Sequence, residues 1–472
     1  MIMATAGRVV ATGALVLVLA AGAYATADVR DLVPGVLTLD PPPADPAPFP
    51  TAPGAVTPVE PAAALDALDP QAPVPAGAEL QRLVDALVED ERMGRRTGVV
   101  VADQLTGEVL AQHRGDVAHV PASTAKLVTA VAALSTLEPT ATLRTTVVRG
   151  SGDEVVLVGG GDMMLAPGAG DPALVDGHAG LGDLAEQTAR ALQLEGVTSV
   201  RLRVDDTLFS GPRVNPRWDP DNLALGYVAP VSPLAVHIAK MRDEEYPPRF
   251  TDPAMSAART FAQQLEKAGV RVSGEPSRGT ARTGARQLGA VESAPLYRIV
   301  HYFLDTSDNT ITEVVSRLVA IGADLPASFQ GGTQAVLHAV KAKGVDVTGA
   351  HLEDASGLAD GSVLRPTTLV GLLRLATDPA QPLLRDVATG MPIAGLSGTL
   401  SDRYTQSDAR GFVRAKTGSL PHVTSLAGTA LDADGRQLVF VVMADKTPDG
   451  GQWGPRAAID GFVSRVQGCG CA

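Results

Sequence analysis

Along the chain the apolar positions change character twice. From Val9 to Ala27 they are nearly continuous, about 19 residues long, with no charged side chain and only Arg8 and the amino terminus as flanking positive charge. A run of this kind predicts an export signal or a membrane anchor. Ala25-Thr26-Ala27 ahead of Asp28 has the small-residue pattern of a signal-peptidase site, while the same run is just long enough to span a bilayer uncleaved, so both outcomes stay open. Over 28–78 the pattern dissolves into prolines, roughly a third of the chain's 35, including Pro41-Pro42-Pro43. Such a stretch buries no core and predicts an extended linker.

Periodic order begins at Leu80, where Leu80, Leu83, Val84, Leu87 and Val88 form one helical stripe. Apolar strands over 98–102 and 108–111 flank Gln104-Leu105-Thr106-Gly107 and predict a hairpin. A second hairpin is predicted where strands over 425–431 and 437–443 flank Asp432-Ala433-Asp434-Gly435. Helical periodicity marks 125–137, 311–320 and 369–376 between them, whereas 145–294 mixes short strands (155–158, 200–204), glycine turns and one amphipathic helix over 261–268. Strands at both ends with helices between them predict an α+β fold, one antiparallel sheet closed by both termini and carrying an inserted, strand-rich module. The expected organisation is therefore a signal or anchor over 1–27, a linker over 28–78, a discontinuous main domain over 79–144 and 295–472, and an accessory insertion over 145–294.

Composition narrows what such a body does. A net charge of -13 argues against a phosphate-backbone partner, so no nucleic acid is expected. Both cysteines, Cys469 and Cys471, lie in the last four residues, which excludes a disulfide framework and a cysteine-rich zinc site in the body of the chain. Cys469-Gly470-Cys471 reads as a frayed tail, with a small strained loop or a tether to a partner as the alternatives. Asp162 and the pair Asp205-Asp206 sit in glycine-rich or polar surroundings and read as exposed loop carboxylates with turn or wall-contact roles rather than metal ligands. His119 reads as a packing or surface residue rather than a catalytic one, because a lysine already supplies the candidate base.

Three short motifs carry the chemistry: Ser123-Thr124-Ala125-Lys126, Ser307-Asp308-Asn309 and Lys416-Thr417-Gly418-Ser419. Ser123 falls at the first turn of the helix predicted over 125–137, and Lys126 lies one turn on, on the same face. A serine hydroxyl is a weak nucleophile until a base takes its proton, and a lysine desolvated against an apolar helix can do so. Ser307 and Asn309 precede a helix and offer a hydroxyl for proton relay and an amide for a substrate amide. Gly418 lets a substrate backbone approach its strand closely, and the Lys416 ammonium with the Thr417 and Ser419 hydroxyls suits a carboxylate. Backbone N–H groups of Ser123 and Ser419 are candidates for an oxyanion hole. All three motifs in this order arise by chance in only roughly two or three sequences per thousand.

The ordered trio resembles that of penicillin-binding proteins and class A β-lactamases. The long separation of Ser123 from Ser307, filled by the inserted module, resembles the class C (type-4) low-molecular-mass penicillin-binding proteins, the D-Ala-D-Ala carboxypeptidase/endopeptidase family. Further family-like pieces are Gly159-Gly160-Gly161-Asp162, Ser232-Pro233-Leu234, Asp354 through Leu358, and Gly398-Thr399-Leu400. Departures are Met163 for a usual proline, Ala355 for a usual glycine, and Asp360 where arginine is frequent. The resemblance implies a penicillin-recognising serine transpeptidase/β-lactamase-like domain outside the cytoplasm, secreted or anchored by the N-terminal segment. It implies Ser123 as acylated nucleophile, Lys126 as its base, and Ser307 and Lys416 as relay partners. Asn309, Thr417, Gly418 and Ser419 would bind substrate. Peptidoglycan peptides are the implied partners, with β-lactams as covalent inhibitors and the membrane if the segment is uncleaved, and no cofactor or metal is implied. The competing expectations are a β-lactamase or esterase of the same fold and an idle peptidoglycan-binding or regulatory protein. The Glu-x-x-Leu-Asn element by which class A β-lactamases activate a deacylating water is not found between Ser307 and Lys416.

Overall fold

In the computed structural model, which describes residues 3–30, 32–33, 35–37 and 68–470, the two expected hairpins join edge to edge. Thr97–Asp103 and Val109–His113 form the first, Val423–Leu431 and Gln437–Asp445 belong to the second, and Val99 stands opposite Val442 where they meet. Val413–Leu420 adds an edge strand beside Val423–Leu431, giving a five-stranded, fully antiparallel sheet from both ends of the folded body. The α+β expectation holds. Val423–Leu431, Gln437–Asp445 and Thr97–Asp103 are buried almost end to end, because helices cover both faces, and this is why their sequences run apolar instead of alternating. Gly77–Val88 and Trp453–Gln467 pack on one face around Phe440 and Phe462. Arg436 in the second hairpin's turn donates to buried Asp103 in the first, Nη2 to Oδ1 at 2.9 Å, and ties the two together.

The other face carries the helical layer. Lys126–Thr136 is wholly buried from Lys126 to Leu134, and it packs among Leu296–Asp305, Asn309–Gly322 and Phe329–Ala342. Arg144–Arg149, Glu154–Val158, Ser199–Asp205 and Gln287–Glu292 build a second, mixed sheet with its own core, in which helices Leu181–Leu194 and Pro253–Lys267 bury Leu184, Leu192, Phe261 and Leu265. Ala67–Ala472 forms one compact unit.

The N-terminal apolar run forms a helix, Met3–Val29. Among the described residues no helix is long and apolar enough to cross a membrane. Most of the linker expected over 28–78 lies outside the described residues. The frayed-tail reading of Cys469 is corrected. Its sulfur is disulfide-bonded and its side chain packs on the core around Phe462, with its N–H on the Val466 carbonyl at the end of helix Trp453–Gln467.

Candidate active site

Ser123 sits in a short 3-10 turn, Ala122–Ala125, that runs straight into helix Lys126–Thr136. Ala122 holds φ at 47°, a left-handed conformation a non-glycine residue seldom adopts. The sheet fixes this turn from the side: Ser425 Oγ, on strand Val423–Leu431, donates to the Pro121 carbonyl at 2.7 Å. A Cβ at Gly418 would lie 2.1 Å from Ser425 Oγ, 2.8 Å from Pro121 O and 3.1 Å from the Ser123 nitrogen. Glycine is required there because strand backbone and nucleophile turn touch directly. Being an edge, this strand leaves N–H groups on its outer side unpaired within the sheet, beside the Ser123 N–H.

Two lysine–serine pairs face this junction. Lys126 Nζ donates to Ser123 Oγ at 2.8 Å, to Asn309 Oδ1 at 2.6 Å and to the Ser356 carbonyl at 2.9 Å. Burial lowers its pKa to about 8, opposed by Asp354, Asp308 and Glu313. Lys416 Nζ donates to Ser307 Oγ at 2.8 Å and to the Thr417 carbonyl at 3.0 Å. Burial first, and Lys126 second, push its pKa well below the usual lysine range. Ser307 reaches Lys416 through another left-handed residue, φ 60°, immediately before Asp308 caps helix Asn309–Gly322 by accepting the Ile311 N–H. The structure thus brings Ser123, Lys126, Ser307, Asn309, Lys416 and Gly418 to one place.

Thr417 and Ser419 lie on the same strand with their hydroxyls already partnered. Thr417 Oγ1 is 2.8 Å from Thr399 Oγ1, and Ser419 Oγ accepts from Arg456 Nη2 at 2.9 Å. Asn309 Nδ2 donates to the Tyr227 carbonyl at 2.9 Å and keeps one further hydrogen to offer.

Behind Lys126 stands a carboxylate frame that the sequence reading missed. Glu313, wholly buried, accepts the Ala355 and Ser356 N–H groups at 2.8 Å each, and Asp354 accepts from Trp218 Nε1, Ser356 Oγ and the Gly357 and Ala359 N–H groups. This fixes the loop whose Ser356 carbonyl holds Lys126. The segment Asp354 through Leu358 and the triplet Gly398-Thr399-Leu400 stood out in the sequence without a role. Glu313, Arg456 and the Tyr227 carbonyl gave no signal, since a lone Glu or Arg on a helix is ordinary and a backbone carbonyl has no sequence mark.

The loop carboxylates are a correction. Asp162 is 1% exposed and accepts the Met164 N–H at 2.8 Å, and Asp205 is buried with Thr207 and Ala281 N–H groups as donors. Asp206 pairs with Arg213 and Arg278. The glycines around Asp162 made its surroundings read as open loop, whereas they allow close packing. Among the described residues no three His, Cys, Asp or Glu side chains are grouped to hold a metal ion. His119 is buried and bonded to Asp445 at 2.8 Å, as a packing residue would be.

Burial raises the Asp162 pKa to about 7, with Asp176 adding to the rise. Because the folded value lies above the unfolded one, its contribution to stability is full below about pH 4 and is lost as pH rises through about 7. Asp162→Asn keeps the acceptor oxygen and never ionises. Its melting midpoint should exceed that of the parent at pH 8, by an amount corresponding to about 1–3 kcal/mol, and match it at pH 4. Thermal melts at pH 4, 6 and 8 check this.

Comparison with known proteins agrees with this geometry. The D-Ala-D-Ala carboxypeptidase 3 (S13) family matches residues 80–249 and 239–466. Carboxypeptidase Rv3627c of Mycobacterium tuberculosis is 35% identical over 440 residues, covering 91% of this chain and 90% of the relative. Carboxypeptidase DacB of Mycolicibacterium smegmatis is 34% identical over 437 residues, covering 88% and 91%. Penicillin-binding protein 4 of Haemophilus influenzae shares the fold, with a TM-score of 0.66 at 22% identity over 81% of this chain and 98% of that one. The same Haemophilus protein with a bound β-lactam gives a TM-score of 0.61, also at 22% identity over 81% and 98%. Fold and site define a penicillin-recognising serine peptidase, and the chain belongs to the S13 D-Ala-D-Ala carboxypeptidase family. It is a hydrolase of the serine D-Ala-D-Ala carboxypeptidase type, so the family expected from the three motifs is the family found.

Proposed function

We propose that the chain removes the terminal D-Ala of peptidoglycan stem peptides through an ester on Ser123. Ser123 Oγ attacks the carbonyl carbon of the penultimate D-Ala, and its proton passes to a neutral Lys126 Nζ. The oxyanion is held by the Ser123 and Ser419 N–H groups. The C–N bond breaks as the leaving amine gains a proton by way of Ser307 and Lys416. Water then attacks the ester carbonyl, giving a proton to neutral Lys126 Nζ, which returns it to Ser123 Oγ as the bond between that oxygen and the acyl carbon breaks. Asn309 offers its free N–H to the substrate amide, and Thr417 and Ser419 offer hydroxyls to the terminal carboxylate. The observation that carries this reading is the pair of buried lysine–serine contacts, 2.8 Å each, side by side at an open sheet edge.

Residues 79–144 and 295–472 serve as the catalytic body and 145–294 as an accessory insertion. The apolar N-terminal run supports a place outside the cytoplasm, secreted or anchored, where peptidoglycan is met. The test incubates the full chain with a pentapeptide ending in D-Ala-D-Ala and with a cross-linked dimer, and reads free D-Ala and dimer cleavage by mass spectrometry. Release of D-Ala is expected, and none from a folded sample would favour an idle wall-binding protein. β-Lactams should acylate Ser123 and leave slowly, because the water-activating element of the class A enzymes was not found between Ser307 and Lys416. Intact-mass spectra over hours should hold a one-to-one penicillin adduct, whereas rapid multiple turnover would indicate a β-lactamase.

A further inference from the structure

Recognition of a peptide's C-terminal carboxylate calls for a cation, and the strand lysine is poorly placed to be one. Lys416 Nζ is buried and turned inward to Ser307 Oγ and the Thr417 carbonyl, and burial beside Lys126 disfavours its charge. Hydroxyls of Thr417 and Ser419 can hydrogen-bond that carboxylate but bring no countercharge, which a guanidinium supplies together with paired N–H donors.

Arg456 stands next to them. It lies in the first turn of helix Trp453–Gln467, half-exposed, with Nη2 2.9 Å from Ser419 Oγ. Gln452, just ahead of the helix, fixes this position: its Nε2 donates to the Leu420 carbonyl at 2.6 Å and its Oε1 accepts from Thr424 Oγ1, so the helix start is tied to the end of the Ser419 strand. Arg456 has no carboxylate within ion-pair distance among the described residues, while its neighbour Arg403 is paired with Asp460 at 3.0 Å. Its donation also occupies a lone pair of Ser419 Oγ, which leaves the Ser419 proton free to point away, toward a substrate oxygen.

We infer that Arg456 is the cation that binds the substrate's terminal carboxylate, acting together with the Ser419 and Thr417 hydroxyls. A guanidinium suits this because it stays charged throughout the working pH range and offers several donors to one carboxylate. The inference rests on the carboxypeptidase reading above and assigns that site's selectivity for a free C-terminus to a residue outside the three motifs.

The test uses a matched pair of acyl-D-Ala thioesters, one whose thiol leaving group ends in a carboxylate and one whose leaving group ends in the carboxamide. Both form the same acyl-enzyme, so only leaving-group recognition differs. Arg456→Ala is expected to lower kcat/KM for the carboxylate substrate roughly 10- to 100-fold, chiefly through KM, and to change the carboxamide substrate less than about twofold. Arg456→Lys should recover part of the loss. An equal fall on both substrates, or an unchanged carboxylate preference, would overturn the assignment while leaving the carboxypeptidase reading intact. If the parent chain turns over neither thioester and releases no D-Ala, that reading fails and the assignment falls with it. Should the alanine variant melt early, Arg456→Gln, which removes the charge but keeps most of the side chain, gives the same ratio from folded protein, with Arg456→Lys falling between it and the parent.

Discussion

Ser123→Ala is expected to lower kcat for D-Ala release by roughly 10⁴- to 10⁶-fold and to abolish the penicillin adduct. The size follows from what the substitution removes and what it leaves. Every other element of the site is built without Ser123 Oγ: the Lys126 contacts to Asn309 and Ser356, the Lys416–Ser307 pair, and the edge-strand donors all persist. Substrate should therefore still bind with a nearly unchanged KM. Only the covalent route is lost, and the residual rate reports what binding and the oxyanion donors do for direct attack by water. The fold should not suffer, because Ala occupies a turn already lined by Ala122 and Ala125. The rate of D-Ala release by parent and variant checks the first half, and mass spectrometry after exposure to a fluorescent penicillin, with peptide mapping to Ser123, checks the second. An adduct that survives in the variant would place the nucleophile elsewhere.

What made the site legible is the local geometry of its motifs. Ser123 and Lys126 are one turn apart, so helix geometry alone brings the amine to the hydroxyl, and the sequence shows both residues and the apolar run that buries them. Gly418 was legible for a similar reason: a glycine inside a strand signals a close backbone approach, here to Pro121 and Ser123. Both hairpins were legible from their turns, yet the edge strand Val413–Leu420 that completes the sheet matters as much, and only the register against Val423–Leu431 shows it to be an edge. Glu313 was illegible because its role depends on a loop about 40 residues away, whose N–H groups it receives. Asp162 misled for the converse reason, since a carboxylate among glycines is usually exposed and this one is folded under.

Hydrolysis should rise with pH along a limb governed by Lys126, and the donor counts at the two lysines say why. Lys126 Nζ makes three donated bonds, to Ser123, Asn309 and Ser356, which accounts for all three protons of an ammonium. Lys416 Nζ makes two, to Ser307 and Thr417, as a neutral amine can. The directions agree, since burial and the neighbouring Lys126 push Lys416 well down, while Asp354, Asp308 and Glu313 keep Lys126 nearer the normal range at about 8. At neutral pH the proton shared by this cluster thus resides on Lys126, where it blocks the base. Acylation needs that proton gone, so kcat/KM should increase about tenfold per unit below pH 7 and level off above about 8. Lys126→Arg keeps the charge and a hydrogen-bonding head but cannot deprotonate in this range, so it should lose about 10³-fold or more together with the rising limb. Lys416→Arg should slow the reaction too, yet retain an ascending limb, because the group that must lose its proton is still Lys126. Stopped-flow acylation between pH 5.5 and 9.5 distinguishes the two variants. A limb that vanishes with Lys416→Arg and survives Lys126→Arg would reverse the assignment of base and relay.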